Sequence, residues 1–352
     1  MTKIIQSEFG VLPDGRTVYA YKMQEESGAY VTILNYGGVI QSIVVPDKNG
    51  KLKDVVLGYD DVDGYLKNSG YLSALIGRFG NRIEKGNLTI DGTTYSLYTN
   101  DRGNHLHGGK KGFDKQIWDV KIDGEKLVLH YFSADGEENY PGNLDVTVVY
   151  TFKDATLTLD YTAVSDKKTA INLTNHAYFN MNGEGQGTVL TQELYLNAPW
   201  MTPTDSTMIP HGEFRVVKDT PFDFNTPKTV GEGDAYKDAD PDLKFGKGFD
   251  HCFVFAKDRN KSEPYATLYS KETGIEMLCF TDLPAVQFYA GCGLNAVGKG
   301  GKQYVRAGGL CLETQCIPNN VNVPAYADFG SSIYDAGKVY HFTSSYQFTV
   351  KK

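Results

Sequence analysis

No stretch of this 352-residue chain is apolar for long enough to cross a bilayer, and its start, "MTKIIQSEFG", has no apolar h-region, so a cytoplasmic protein without a membrane partner is expected. It has no run of Lys or Arg. With 35 basic against 43 acidic residues the formal net charge is -8, which argues against a nucleic-acid partner, because neutralising phosphates takes clustered cations. Cysteine is scarce: Cys252, Cys279, Cys292, Cys311 and Cys316 are an odd number without a CxxC, which suggests neither a disulfide framework nor a zinc site and points to a reducing compartment. Also missing are a Pro/Ser linker, a fixed-period repeat, low-complexity sequence and any capped segment with apolar residues at i, i+3, i+4, i+7 over three turns.

What the chain does have is Tyr (24), Phe (18), Gly (38) and β-branched residues in segments of period two, such as "LDVTVVYTF" and "ATLTLDYTAV". "KD" at 153 to 154 fits a tight hairpin turn between those two. Many short strands without intervening helices predict an all-β fold, antiparallel sheets packed as a sandwich or barrel, in one large domain covering residues 1–352. The Gly-rich, acidic stretch "VGEGDAYKDADPDLKFGKGFD" at 230 to 250 reads as a long surface loop bordering a site.

Within this β pattern "INLTNHAYFNM", 171 to 181, stands out. By strand parity Ile171, Leu173, Ala177, Phe179 and Met181 share an apolar side, while Asn172, Thr174, His176, Tyr178 and Asn180 share a polar one. That polar side is either a solvated surface or the floor of a groove. "GGLCLETQCIPN" sets Leu310, Leu312 and Cys316 against Glu313 and Gln315; "AVQFYAG" sets Val286 and Phe288 against Gln287 and Tyr289. "GFDHCFVF" is less clean, since Asp250 shares its side with Cys252 and Val254. A carboxylate among Leu and Cys, as Glu313 is, would have a raised pKa suited to a base, or it faces solvent on an outer strand. His176 is equally open between catalysis and a structural histidine.

Other motifs are weaker. "GLNAVGKG" at 293 to 300 lacks the Ser or Thr of a phosphate-binding loop and reads as an exposed turn. "NHLHGG" puts His105 and His107 on one face of a strand, but no further ligands accompany them, so no metal is expected. His107 at the end of that strand, before "GG", can face a ligand. Arg78 and Arg82 of "GRFGNRIEKG" either reach a ligand or form surface ion pairs.

In this order, "NYGGVIQSIVVPDKNGKLKDVVLGYDDVDGY", "IGRFGNRIEKG", "LHGGKKGFDKQIW", "NLTNHAYFN", "GFDHCFVF", "VQFYAG" and "CLETQCIPNNVN" resemble the galactose mutarotase (aldose 1-epimerase) family along the whole chain. The resemblance implies a large antiparallel β-sandwich whose polar groove binds a free aldose, and an isomerase interconverting α and β anomers without cofactor or metal. It implies Glu313 as base, His176 as acid and His107 as second site histidine, with Asn81, Arg82, Asp250 and Gln287 on the sugar. His105 does not carry over, and Arg78 does so less securely than Arg82. His107 and Arg82 are expected as cationic donors to the ring oxygen. A bell-shaped pH profile is expected, Glu313 setting its acidic limb. The rivals are a hexose-6-phosphate 1-epimerase, a glycoside hydrolase needing two carboxylates, and a non-catalytic sugar-binding module. A small-molecule sugar is the expected partner, and the chain is a monomer or homodimer.

Overall fold

In the computed structural model, which describes residues 1–67 and 70–351, three antiparallel sheets carry the architecture. The first joins five N-terminal strands between Lys3 and Asp54; the second has nine strands, Leu144–Lys153 and Thr156–Ser165 among them; the third orders 215–216, 200–201, 250–254, 285–289 and 311–315. Among the described residues the ladders between strands are antiparallel, as the absence of βαβ spacing predicts, and an isolated parallel bridge joins Phe79 to Asn172. Leu144–Lys153 and Thr156–Ser165 alternate buried and less buried residues along their length, which is the period-two signal read from sequence. Their hairpin turns at Asp154 and Ala155, both at φ +50°, one residue later than "KD" implied. Two successive positive φ values match the twist of the flanking strands.

One continuous core draws side chains from all three sheets, including Val31 and Ile33, Val148 and Leu159, and Phe253, Val286, Phe288 and Leu312. Each such side chain, fully buried, contributes roughly 1.5–3 kcal/mol. The third sheet thus commits one face to the core, and this turns Gln287, Tyr289, Cys311 and Glu313 to the other side.

Three sequence expectations need correction. Residues 230–250 are not a loop but two short helices, Val230–Asp234 and Pro241–Gly246. Thr229 and Glu232 form a reciprocal capping box, and Asp240 caps the second helix ahead of Pro241, so local capping outweighs the glycines. "GKG" at 298 to 300 is not an exposed turn: the Lys299 ammonium is buried and donates to Asp54 (2.8 Å) and to the carbonyls of Gln41 (2.7 Å) and Val56 (2.9 Å). Finally, 171–181 is not one continuous strand, since only Thr174–Asn175 pairs regularly, with Leu75–Ile76. Its parity survives: Ile171, Leu173, Ala177, Phe179 and Met181 join the core. The polar row is buried as well, Asn172 donating to Gly80 O (3.1 Å) and accepting from Cys316 N–H (2.9 Å).

Candidate active site

Strand register assembles half of the site. Gln287 lies opposite Glu313, and Asp250 opposite Tyr289, which in turn pairs with Cys311. Beyond Asp250 the same side of its strand turns apolar, Cys252 and Val254 packing with Ile317 and Tyr326, which accounts for the mixed parity of "GFDHCFVF".

The other half comes from two tight loops. His105–Leu106 pairs with Arg82–Ile83, and the chain then turns at His107, φ +51°. Gly108 (φ +83°) is required here, because a Cβ would lie 1.8 Å from Gly77 O. His105 and His107 therefore do not share a face. His105 is fully buried against Tyr140, within 2.8 Å of Tyr98 O, with burial lowering its pKa to about 4; it is structural. His107 instead lies beside Glu313. Its Nδ1 accepts the Asn81 N–H (3.0 Å), so the neutral ring carries its hydrogen on Nε2, 4.0 Å from Glu313 Oε2. Burial, then the fields of His176 and Arg82, hold it well below the usual histidine range. His107 is thus a neutral donor, not the cation expected from sequence.

His176 Nε2 lies 3.6 Å from the other Glu313 oxygen, Oε1. Burial drives this pair's pKa values apart: it pushes the Glu313 carboxyl well above the ordinary carboxylate range, reinforced by Asp250 and opposed by Arg82, and lowers His176 to about 4. The two groups consequently hold one proton between them over a wide pH range.

Arg82 ties the wall together, donating from Nε to Asp101 (2.8 Å) with Nη2 3.5 Å from Asp250. Asp250 also accepts from Gln287 Nε2 (2.7 Å). Burial would raise the Asp250 pKa, but Arg82 and the Gln287 hydrogen bond outweigh it, so this carboxylate stays ionised. Arg78 is not part of the site: its guanidinium is buried on Ser133 and on the carbonyls of Ala134, Pro141 and Gly142.

These residues surround a cavity of about 280 Å³, at the small end of small-molecule sites. Glu313, His176, His107, Asn81, Arg82 and Asp250 all line it; Gln287 does not, and acts through Asp250. Glu313 Oε2 is buried without a hydrogen-bond partner, as a group awaiting a ligand hydroxyl would be. Tyr178 and Tyr289 complete the wall with Tyr71, whose ring meets His107 edge-on at 4.8 Å. The first two sit on the same parity as His176 and Gln287, a usable signal; Tyr71, at φ +53°, follows no pattern. Gly246 and Lys247 bring the 230–250 segment to the rim, as expected of it.

His107, His176 and Glu313 bring donor atoms within 4.8 Å of one another, a grouping invisible in sequence because the three are far apart in the chain. It does not fit a divalent ion. A ligating histidine donates from its second nitrogen, whereas His107 Nδ1 accepts and leaves the hydrogen on the nitrogen facing Glu313.

The family described as aldose 1-epimerase matches residues 19–347. Galactose mutarotase of Bos taurus is 36% identical over 353 aligned residues, covering 99% of this chain and 100% of the relative. Aldose 1-epimerase of Escherichia coli K12 is 32% identical and covers 96% of each chain. The crystal structure of galactose 1-epimerase from Lactobacillus acidophilus superposes with a TM-score of 0.86 at 26% identity, over 100% of both chains. An aldose epimerase homologue from C. elegans gives 0.85 at 28%, again over 100% of both. The antiparallel sandwich is therefore of the galactose mutarotase type.

Proposed function

The chain belongs to the aldose 1-epimerase family, and on that premise we propose that Glu313 and His176 interconvert the α and β anomers of free aldohexoses such as galactose and glucose. The activity is that of an isomerase. The observation that carries the residue assignment is the buried contact, 3.6 Å, between Glu313 Oε1 and His176 Nε2 inside the cavity.

In the pair's reactive form the single proton is on His176. Glu313 takes the proton of the C1 hydroxyl while His176 Nε2 gives its proton to the ring oxygen; the C1–O bond breaks and C1 becomes an aldehyde. After rotation about C1–C2 the ring oxygen attacks the opposite face of C1, returning its proton to His176 as Glu313 protonates the new C1 hydroxyl. The pair is regenerated, and no step needs a cofactor or metal. His107 Nε2–H and the Arg82 guanidinium stabilise negative charge on the oxygens during ring opening. Asp250, fixed and ionised, accepts hydrogen bonds from sugar hydroxyls. Residues 1–352 act as one domain, supported by a core that runs from Tyr21 to Phe348. Five free cysteines support a cytoplasmic location, and among the described residues no helix is long and apolar enough to cross a membrane.

Polarimetry of freshly dissolved α-D-galactose and α-D-glucose tests this reading: added protein should speed the approach to the equilibrium rotation, and no acceleration with either sugar would refute it. A metal chelator should leave that rate unchanged; loss restored by a divalent ion would show that the three-donor cluster works as a metal site after all.

The glycoside hydrolase alternative finds two carboxylates in the cavity, Asp250 and Glu313. Asp250, however, is engaged by Arg82 and Gln287, and the groups beside Glu313 are histidines. Asp250→Asn should therefore raise KM more than it lowers kcat, since the amide keeps the shape and loses the charge. A fall confined to kcat would place Asp250 in the chemistry.

A further inference from the structure

The mechanism uses Nε2 of His176 and leaves open what fixes the rest of the ring. Behind it, on the strand that carries Glu313, the Cys311 sulfur lies 3.4 Å from His176 Nδ1 and 3.9 Å from the carbonyl oxygen of the same histidine. Both residues are buried.

A thiol has one hydrogen. If the S–H pointed at Nδ1, the contact with the carbonyl would have no hydrogen in it. If the S–H donates to the carbonyl, the sulfur is free to accept from Nδ1–H, and both contacts are hydrogen bonds. We infer that Cys311 is a positioning residue for the epimerase reaction: its thiol holds His176 in the Nδ1–H tautomer, leaving Nε2 bare to exchange the catalytic proton with Glu313 and the sugar ring oxygen. The neighbouring histidine makes the contrast plain. The Asn81 N–H fixes His107 in the opposite tautomer, which makes it a permanent donor, whereas Cys311 fixes His176 as a proton carrier. Burial, with the Glu313 and Asp250 charges, pushes the Cys311 thiol well above its ordinary range, so the S–H is retained to make the bond.

Sulfur suits this task because it is a weak acceptor. A carboxylate behind Nδ1 would make the ring strongly basic and pull the shared proton off Glu313 for good, whereas a thiol orients the ring and leaves the proton mobile between the two groups.

The inference rests on His176 being the acid, and one of its two tests does not depend on that role. In protein labelled with ¹⁵N at histidine, the His176 resonances at neutral pH, assigned by their loss in His176→Gln, should show a protonated Nδ1 and a bare Nε2. A protonated Nε2 in the wild type would overturn the inference, whatever His176 does in catalysis. Kinetically, Cys311→Ala should lower kcat about 10-fold with KM within about twofold. That is far short of the ~10⁴-fold lost elsewhere when a carboxylate that holds a catalytic histidine is replaced, since sulfur holds the ring more weakly. Cys311→Ser, which can accept from Nδ1–H and donate to the same carbonyl, should recover most of that loss. An alanine variant with unchanged kcat, or one whose defect appears only in KM or is not relieved by serine, would leave Cys311 as packing and nothing more. If His176→Gln itself retained full activity, the acid assignment would fall while the ¹⁵N result stood.

Discussion

Glu313→Gln is expected to lower kcat by at least ~10²- to 10⁴-fold, the usual worth of a positioned general base, while the fold persists. Glutamine fills the same volume on the cavity side of the Cys311–Gln315 strand, and the core side of that strand, Leu312, is untouched. What it cannot do is accept the C1 hydroxyl proton. A variant folded by circular dichroism that still converts anomers above about a tenth of the wild-type rate, more than loss of a general base permits, would place the base elsewhere.

His176→Gln should cost kcat a similar ~10²- to 10⁴-fold, because an amide can donate a hydrogen bond to the ring oxygen but cannot release a proton to it. The pH profile separates the two residues. Burial pushes Glu313 up and His176 down to about 4, so below that value both hold protons and the base is blocked. Above the raised carboxyl pKa neither holds one, and no proton is available for the ring oxygen. Activity is confined to the window between. In kcat/KM of the wild type, His176 therefore sets the acidic limb and Glu313 the alkaline limb, the reverse of what ordinary pKa values implied from sequence. In the variants one titrating group remains: the residual activity of His176→Gln, which still needs Glu313 ionised, should lack the alkaline limb, and that of Glu313→Gln, which still needs His176 protonated, should lack the acidic one.

Strand parity made one face of the site readable in advance. Gln287, Tyr289 and Glu313 alternate with Val286, Phe288 and Leu312, and the core confirms which set turns inward. His176 was legible for the same reason, although its segment is mostly irregular, because the side-chain alternation outlasts regular pairing. Parity failed wherever the chain leaves the β region. His107 and Asn81 sit at positive φ, so their directions could not be counted from neighbours, and His105 was wrongly placed on the same face. Contacts made across long sequence separations were also out of reach: Asp101 holding Arg82, Gln287 acting through Asp250, and the Cys311 thiol behind His176 each depend on which loop meets which strand. Lys299 was misread because glycines mark a turn without saying whether a buried carboxylate waits beneath it.

The central claim is that Glu313 and His176 work as one unit sharing a single proton, and a double-mutant cycle in kcat tests it most directly. If each end of the transfer is useless without the other, Glu313→Gln combined with His176→Gln should be no more than about tenfold slower than the worse single variant, as for residues that act together. Losses that multiply, to ~10⁴-fold or beyond from two independent ~10²-fold effects, would contradict a shared proton and make the two residues separate contributors.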